Sequence, residues 1–188
     1  MIGLHIIFGP MFAGKSTYLI NTANDIIKTG IESKEILMIN HSYDNRYTSN
    51  SNICTHDGVE MSSISLEYLN ELLIDVKYIK TMENVNYIFI DEGQFFNDLY
   101  EVVKKLLTIY KKTIYICGLD GDYKQEQFVS SRIFDLIPYA STLTKLNSRC
   151  SICNNIAPFT KRRNNSNIQI LIGGALEYKP VCLNHLYD

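Results

Sequence analysis

The chain opens on an unbroken apolar run, residues 2–8 (IGLHIIF), which stops at Gly9 and passes through a Gly/Pro segment into a different rhythm. Leu19, Ile20, Ala23, Ile26 and Ile27 then recur at helical spacing as far as Gly30, so strand, loop and helix are predicted in succession. EILMIN (35–40) reads as a second strand, and the polar stretch 41–64 as a long loop with a short strand near Ile53 to Thr55. Leu66, Leu69, Leu72 and Leu73 predict a helix from Ser65 to Val76, and Asn86 to Ile90 a strand that ends at Asp91-Glu92-Gly93. Leu99, Val102, Val103, Leu106, Leu107 and Tyr110 form one apolar helix face, introduced by Asp98 and Glu101 in the pattern of a capping box. TIYIC (113–117) is a further strand of the buried type. Strands that are apolar throughout, interleaved with helices, predict an α/β fold with a parallel sheet covered on both faces.

After Leu146 the alternation ends. Residues 147–188 carry three cysteines, a histidine and the polar stretch KRRNNSN, and read as a small separate lobe behind a larger unit, 1–146. The length of 188 residues fits that division, one core with an appendage. With 46% apolar and 20% charged residues the chain has the composition of a globular protein, which excludes a disordered or collagen-like one. The net charge of −2 supplies no sequence-wide field to recruit nucleic acid or an anionic membrane. No apolar run approaches the ~20 residues of a membrane span, and the first ten residues lack the basic start of a secretory signal, so a cytoplasmic protein is expected. There the five cysteines would stay reduced, and their spacing matters more than their number.

Gly9-Pro10-Met11-Phe12-Ala13-Gly14-Lys15-Ser16 fits G-x4-G-K-[ST] and falls between a predicted strand and a predicted helix, where that motif belongs. Its glycines let the backbone curl so that N–H groups and the positive helix end face phosphate oxygens. Lys15 would reach the β and γ phosphates, and Ser16 would hold Mg²⁺. Asp91, at the end of an apolar strand, supplies the second carboxylate that such a Mg²⁺ needs. Glu92 exceeds what the metal requires. It is a candidate base for an attacking hydroxyl or, equally by spacing, for a water, which would make the protein an ATPase.

Cys150-x2-Cys153 and Cys182-x2-His185 are two chelating pairs that together make a four-ligand set suited to structural Zn²⁺. A closed metal site leaves no position for catalysis, but it would tie residues 154–181 into a loop able to cover a ligand. Cys54 and Cys117 have no partner at metal spacing and read as small apolar packing groups.

These motifs, with GPMFAGKST, DNRY, CTHDG, IDEGQFF, LDGDY, TKRR and IGGALEY in order over nearly the whole chain, resemble the zinc-containing P-loop thymidine kinases of the cellular and poxviral type. The resemblance implies a P-loop NTPase-like sheet with a zinc lobe carrying a lasso-like loop. It also implies transfer of the γ-phosphoryl group of ATP to the 5′-hydroxyl of thymidine, with deoxyuridine as a further acceptor to test. Gly9 to Ser16 would hold the ATP phosphates together with Asp44, Asp91 and Gln94, and Lys15, Arg46 and Glu92 would form the catalytic set. Met11, Phe95, Leu119, Tyr123, Phe128 and Thr160 would surround the base, with Tyr178 near the sugar and the backbone of Gln169, Ile170, Leu171, Ile172 and Gly173 supplying hydrogen bonds. Asp57 matches a motif position without a defined role. A homotetramer and feedback inhibition by thymidine triphosphate are further implications, and neither nucleic acid nor membrane is an expected partner.

Asp122, Tyr123, Glu126 and Gln127 depart from the commoner pattern of Thr, Phe, basic residues and Pro, which bears on specificity and loop rigidity. Two rivals remain. A nucleoside monophosphate kinase would need several arginines to clamp a second phosphorylated substrate, and this chain has five in all. A zinc-ribbon nucleic-acid ATPase would use Lys161-Arg162-Arg163 on phosphates, a triplet that reads otherwise as a solvated loop.

Overall fold

In the computed structural model, residues 2–43, 52–54 and 60–187 are described. Asp44, Arg46 and Asp57 lie outside the described residues, as does the Cys54 side chain. The order of the larger part is β1 (Leu4–Phe8), α1 (Lys15–Lys28), β2 (Ile36–His41), a short hairpin of β3 (Asn52–Cys54) and β4 (Glu60–Ser62), and β5 (Ile64–Leu66). There follow α2 (Glu71–Ile74), α3 (Val76–Asn84), β6 (Tyr87–Ile90), α4 (Leu99–Thr108), β7 (Thr113–Gly118) and β8 (Thr142–Lys145). Six of these strands form one all-parallel sheet in the order β5-β2-β6-β7-β1-β8.

Both faces of the sheet are buried, as the unbroken apolar strands require. On one, Leu4, Ile6, Ile39, Ile88, Ile90, Ile114 and Ile116 pack with Leu99, Val102, Val103 and Leu106 of α4. On the other, Ile7, Met38, Phe89 and Cys117 meet Leu19, Ile20 and Ala23 of α1. Each β1, β6 and β7 side chain therefore alternates between two cores. Parallel pairing also places all the C-terminal strand ends on one edge, where α/β proteins bind ligands.

Two expectations fail here. Ser65 to Val76 is not one helix: β5 pairs with β2 through Ile64, Ser65 and Leu66, and the helix that follows is split at Asp75, whose carboxylate caps α3 by accepting from Lys77 N at 3.0 Å. Leu66, Leu69 and Leu72 are buried and Leu73 partly so, but Leu66 reaches the core from a strand and Leu69 from a turn. Asp98 does precede α4, yet it does not cap it. Its carboxylate accepts from Leu69 N at 3.1 Å and Asn70 N at 2.8 Å, stitching the turn before α2 to the start of α4.

Beyond the sheet come β9 (Ser148–Arg149) and β10 (Ile156–Ala157), an antiparallel pair, and then β11 (Phe159–Arg162) and β12 (Tyr178–Val181), another. Their own core is slight: Cys150, Ala157, Val181, Cys182 and Leu186, with Phe159 against them. Apolar burial on that scale rarely suffices to hold a fold without a staple. Among the described residues no helix is long and apolar enough to cross a membrane.

Candidate active site

The segment Gly9 to Gly14 turns from β1 into α1 with Phe12 and Gly14 both in the left-handed region, φ 65° and 79°. A side chain at Gly9 is excluded, since a Cβ there would meet the Leu146 carbonyl at 2.8 Å. Among the described residues no side chain caps α1, so its first N–H groups are directed into the loop. Lys15 is buried and folds back to donate to the Pro10 carbonyl at 2.9 Å. Such a loop with a buried lysine is a cradle for anionic oxygens.

β7 lies between β1 and β6, and the edge geometry brings the end of β6 to the phosphate loop. Ser16 Oγ donates to Asp91 Oδ2 at 2.7 Å, across 75 residues of sequence. Asp91 Oδ1 accepts from Glu92 N at 2.9 Å and from Cys117 Sγ at 2.7 Å. Cys117 is thus a donor as well as an apolar packing group. Burial first, and then the Asp91 carboxylate, push its thiol well above the usual range, so it stays protonated and able to donate. The serine hydroxyl and the carboxylate are hard oxygen donors of the type Mg²⁺ takes beside a triphosphate.

Glu92 has φ 50°, an uncommon conformation for a residue with a side chain, and it is buried. Gln94, wholly buried, fixes its carboxylate: Nε2 donates to Glu92 Oε2 at 2.6 Å while Oε1 accepts from Leu119 N at 3.0 Å. Gln94 therefore braces Glu92 against the 119 loop, and both ends of its amide are used there rather than on the phosphate loop. Backbone strain of this kind, held by a surrounding hydrogen-bond network, is typical of functional sites.

Glu92 also forms part of the wall of a largely apolar cleft with a few polar groups, the lining expected of a small-molecule site. Met11, Phe95, Leu119, Tyr123, Phe128, Thr160 and Tyr178 line it together with the segment Gln169 to Gly173, so every residue named for the nucleoside from the sequence is brought to one place. Sequence reasoning omitted Tyr43 and Gly121 from this wall and treated Asp122 only as a departure from the pattern. Tyr43 adjoins the DNRY segment, and that proximity was the available signal. Phe95 and Phe96 divide: Phe96 is fully buried in the core beneath β6 and α4, whereas Phe95 faces the cleft and meets the Phe128 ring edge-on at 6.4 Å.

The small C-terminal hairpins close over the phosphate loop. Met11 N donates to Thr160 Oγ1 at 2.9 Å, and Ser148 Oγ donates to the Phe12 carbonyl at 3.1 Å. Lys145, at the end of β8, pairs with Asp120. Its ammonium is pulled down from the usual lysine range by burial and then by the charge of Lys15. The triplet 161–163 is spent internally: Lys161 Nζ donates to the His185 carbonyl at 3.2 Å, Arg163 Nε to the Tyr178 carbonyl at 3.3 Å, and Arg162 is buried.

Cys150, Cys153, Cys182 and His185 converge, with their ligand atoms all within 4.8 Å of one another. Cys150 Sγ to His185 Nδ1 is 3.6 Å, Cys153 Sγ to Cys182 Sγ is 3.6 Å, and Cys182 Sγ to His185 Nδ1 is 3.2 Å. Tetrahedral bonds of ~2.3 Å to sulfur and ~2.0 Å to nitrogen imply edges of about 3.5–3.8 Å, so the donor set is arranged to hold a metal ion. Burial pushes the Cys150 thiol up, but hydrogen bonds from the backbone of Cys153, Cys182 and Ile152 outweigh it and bring the thiol down to about 5.

The family model described as thymidine kinase matches residues 2–186. A thymidine kinase of Oryza sativa subsp. japonica is 40% identical over 185 residues, covering 98% of this chain and 66% of that protein. Thymidine kinase a of Arabidopsis thaliana is 39% identical, covering 97% of this chain and 74% of that protein. The thymidine kinase of Choristoneura fumiferana entomopoxvirus is 38% identical, covering 96% and 94%. Domain III of the Thermotoga maritima replication initiation protein DnaA overlays 77% of this chain and 55% of that chain at 17% identity and a TM-score of 0.42, too loosely to bear on the reading. A match spanning the phosphate loop, the cleft and the metal cluster alike assigns the whole described site to one lineage: the chain belongs to the thymidine kinase family.

Proposed function

We propose that the protein transfers the γ-phosphoryl group of ATP to the 5′-hydroxyl of thymidine, giving thymidine monophosphate and ADP. The observation that carries this is the double position of Glu92, adjacent in the chain to the Asp91 bonded by Ser16 and at the same time a wall of the aromatic cleft. An acceptor hydroxyl in that cleft would lie between the carboxylate and the phosphate loop. Glu92 takes the proton of the 5′-hydroxyl as the oxygen bonds to the γ-phosphorus and the bond from that phosphorus to the bridging oxygen of ADP breaks.

Lys15 leaves the Pro10 carbonyl for the β and γ phosphates, where its charge offsets the negative charge spread over the transferring group. Ser16 and Asp91 would hold Mg²⁺, which when bound neutralises phosphate charge. Arg46, outside the described residues, is assigned to the phosphates by the family resemblance alone. Phe95 and Tyr123 supply aromatic wall for the pyrimidine, and the segment 169–173 supplies backbone hydrogen-bonding groups for the same cleft. The donor chemistry of three thiols and one imidazole favours Zn²⁺ in the C-terminal cluster. We assign residues 1–146 to the nucleotide-binding unit and 147–188 to the metal lobe on the same grounds.

The test is a panel of nucleosides and nucleoside monophosphates offered with Mg-ATP, scoring which acceptor gains phosphate. Thymidine is expected to do so, and deoxyuridine, one methyl group smaller, is expected to follow more weakly. ATP turnover stimulated by nucleic acid and indifferent to every nucleoside would overturn the reading.

A further inference from the structure

The cleft is roofed by a segment that contains no regular secondary structure. Residues 163–177 leave β11 and return to β12, and most of their side chains face solvent. Backbone groups in such a loop have no ladder to hold them, so a roof of fixed shape needs another source of order.

That source is Arg162. The β11–β12 register sets it opposite Tyr178, at the point where the loop leaves and rejoins the hairpin. Its Nη1 donates to the carbonyls of Ser166 at 2.8 Å and Ile168 at 2.5 Å, and its Nη2 to the Gln169 carbonyl at 3.1 Å and Tyr178 Oη at 2.8 Å. Tyr178 Oη passes the connection on, donating to the Leu171 carbonyl at 2.7 Å. Arg162 is 93% buried as a residue, and its guanidinium lies 3.8 Å from the centre of the Tyr123 ring, which belongs to the opposite wall. A second fastening joins the same two walls: Gln169 Nε2 donates to Asp122 Oδ2 at 3.0 Å and to the Gln127 carbonyl at 3.2 Å.

We infer that Arg162 is a positioning residue for nucleoside binding, fixing the roof of the cleft through the carbonyls of residues 166–169 and the hydroxyl of Tyr178, with the Asp122–Gln169 pair as its latch to the far wall. The inference rests on the nucleoside reading of the cleft. Only a planar fork with several donors can serve three carbonyls and a hydroxyl while stacking on a ring, so lysine is not an equivalent. Asp122, whose side chain departs from the commoner family pattern, acts in the latch, whereas residue 127 contributes only its backbone carbonyl.

The test compares Arg162→Met and Arg162→Lys with the unsubstituted metal-loaded protein. Thymidine KM is expected to rise at least ~10-fold in both, while ATP KM and kcat stay within about threefold, the pattern of a lost ground-state binding contribution. Gln169→Ala is expected to give a smaller rise, about 3-fold. Hydrogen exchange at the amides of residues 164–173 in the free protein should accelerate at least ~10-fold in Arg162→Met, with the sheet amides unchanged. If the arginine variants fail to fold, Tyr178→Phe carries the test, since it keeps the ring and removes both the bond accepted from Arg162 and the one donated to Leu171. A thymidine KM unchanged in these variants, or a fall in kcat with both KM values unmoved, overturns the inference. Faster loop exchange in a protein that phosphorylates no nucleoside of the panel would uphold the clamp and overturn the proposed acceptor.

Discussion

The two halves of the site are held by different means. The ledge that carries Ser16, Asp91 and Glu92 hangs from the ends of parallel strands, β1, β6 and β7, whose side chains are mostly buried on both faces. The roof hangs from side chains: an arginine, a tyrosine, a glutamine and a four-ligand cluster above a core of a few residues. The ledge must fix reacting atoms to within fractions of an ångström, and a rigid sheet does that well. The roof has only to present a shaped surface to the nucleoside, and a loop fastened at a few points by buried side chains does so without a ladder of its own.

That contrast is open to attack at each point. The largest effect is expected from Cys153→Ser or from chelation of the metal, which should abolish nucleoside binding because the hairpins and roof lose their staple. ATP binding should survive, since the phosphate loop belongs to the sheet. Calorimetric titration with each ligand separates the two outcomes, and elemental analysis should find one zinc per chain in the unsubstituted protein. Next, Phe96→Ala should lower unfolding free energy by about 3–5 kcal/mol by opening a cavity under the ledge, measured by chemical denaturation, while leaving the metal content unchanged.

Glu92→Gln should follow, with transfer reduced at least ~100-fold and both ATP affinity and melting temperature nearly unchanged, as steady-state kinetics and thermal unfolding would show. Unaltered turnover would remove Glu92 from its role. The smallest change is expected from Tyr123→Phe. The Tyr123 hydroxyl is buried without a hydrogen-bond partner among the described residues, so its removal should leave stability equal or raise it by up to about 1 kcal/mol in a denaturant titration.

How much of this was legible in the sequence also divides along the same line. The ledge was readable because each of its parts is local: a glycine pattern between a strand and a helix, and an acidic pair at the end of an apolar run. The metal cluster was readable for the same reason, two short spacings that repeat. The failures came where distant contacts decide. Ser65 to Val76 has helical leucine spacing, but pairing with β2 draws Leu66 into a strand. Asp98 sits in a capping position, but Leu69 N and Asn70 N compete for its carboxylate and win. Arg162 sits in a run of basic residues that looks solvated, and only the hairpin register reveals that it is buried beneath the loop it organises. No residue spacing encodes a guanidinium bonded to carbonyls four, six and seven residues later.

The central claim, that a carboxylate beside the phosphate loop directs phosphoryl transfer to a sugar hydroxyl and away from water, is tested most directly by measuring ADP and thymidine monophosphate formation in one reaction with Mg-ATP. The account predicts that the two appear one for one and that ADP release nearly ceases when thymidine is omitted. ADP release that proceeds at the same rate with and without thymidine, and without a phosphorylated nucleoside, would contradict it.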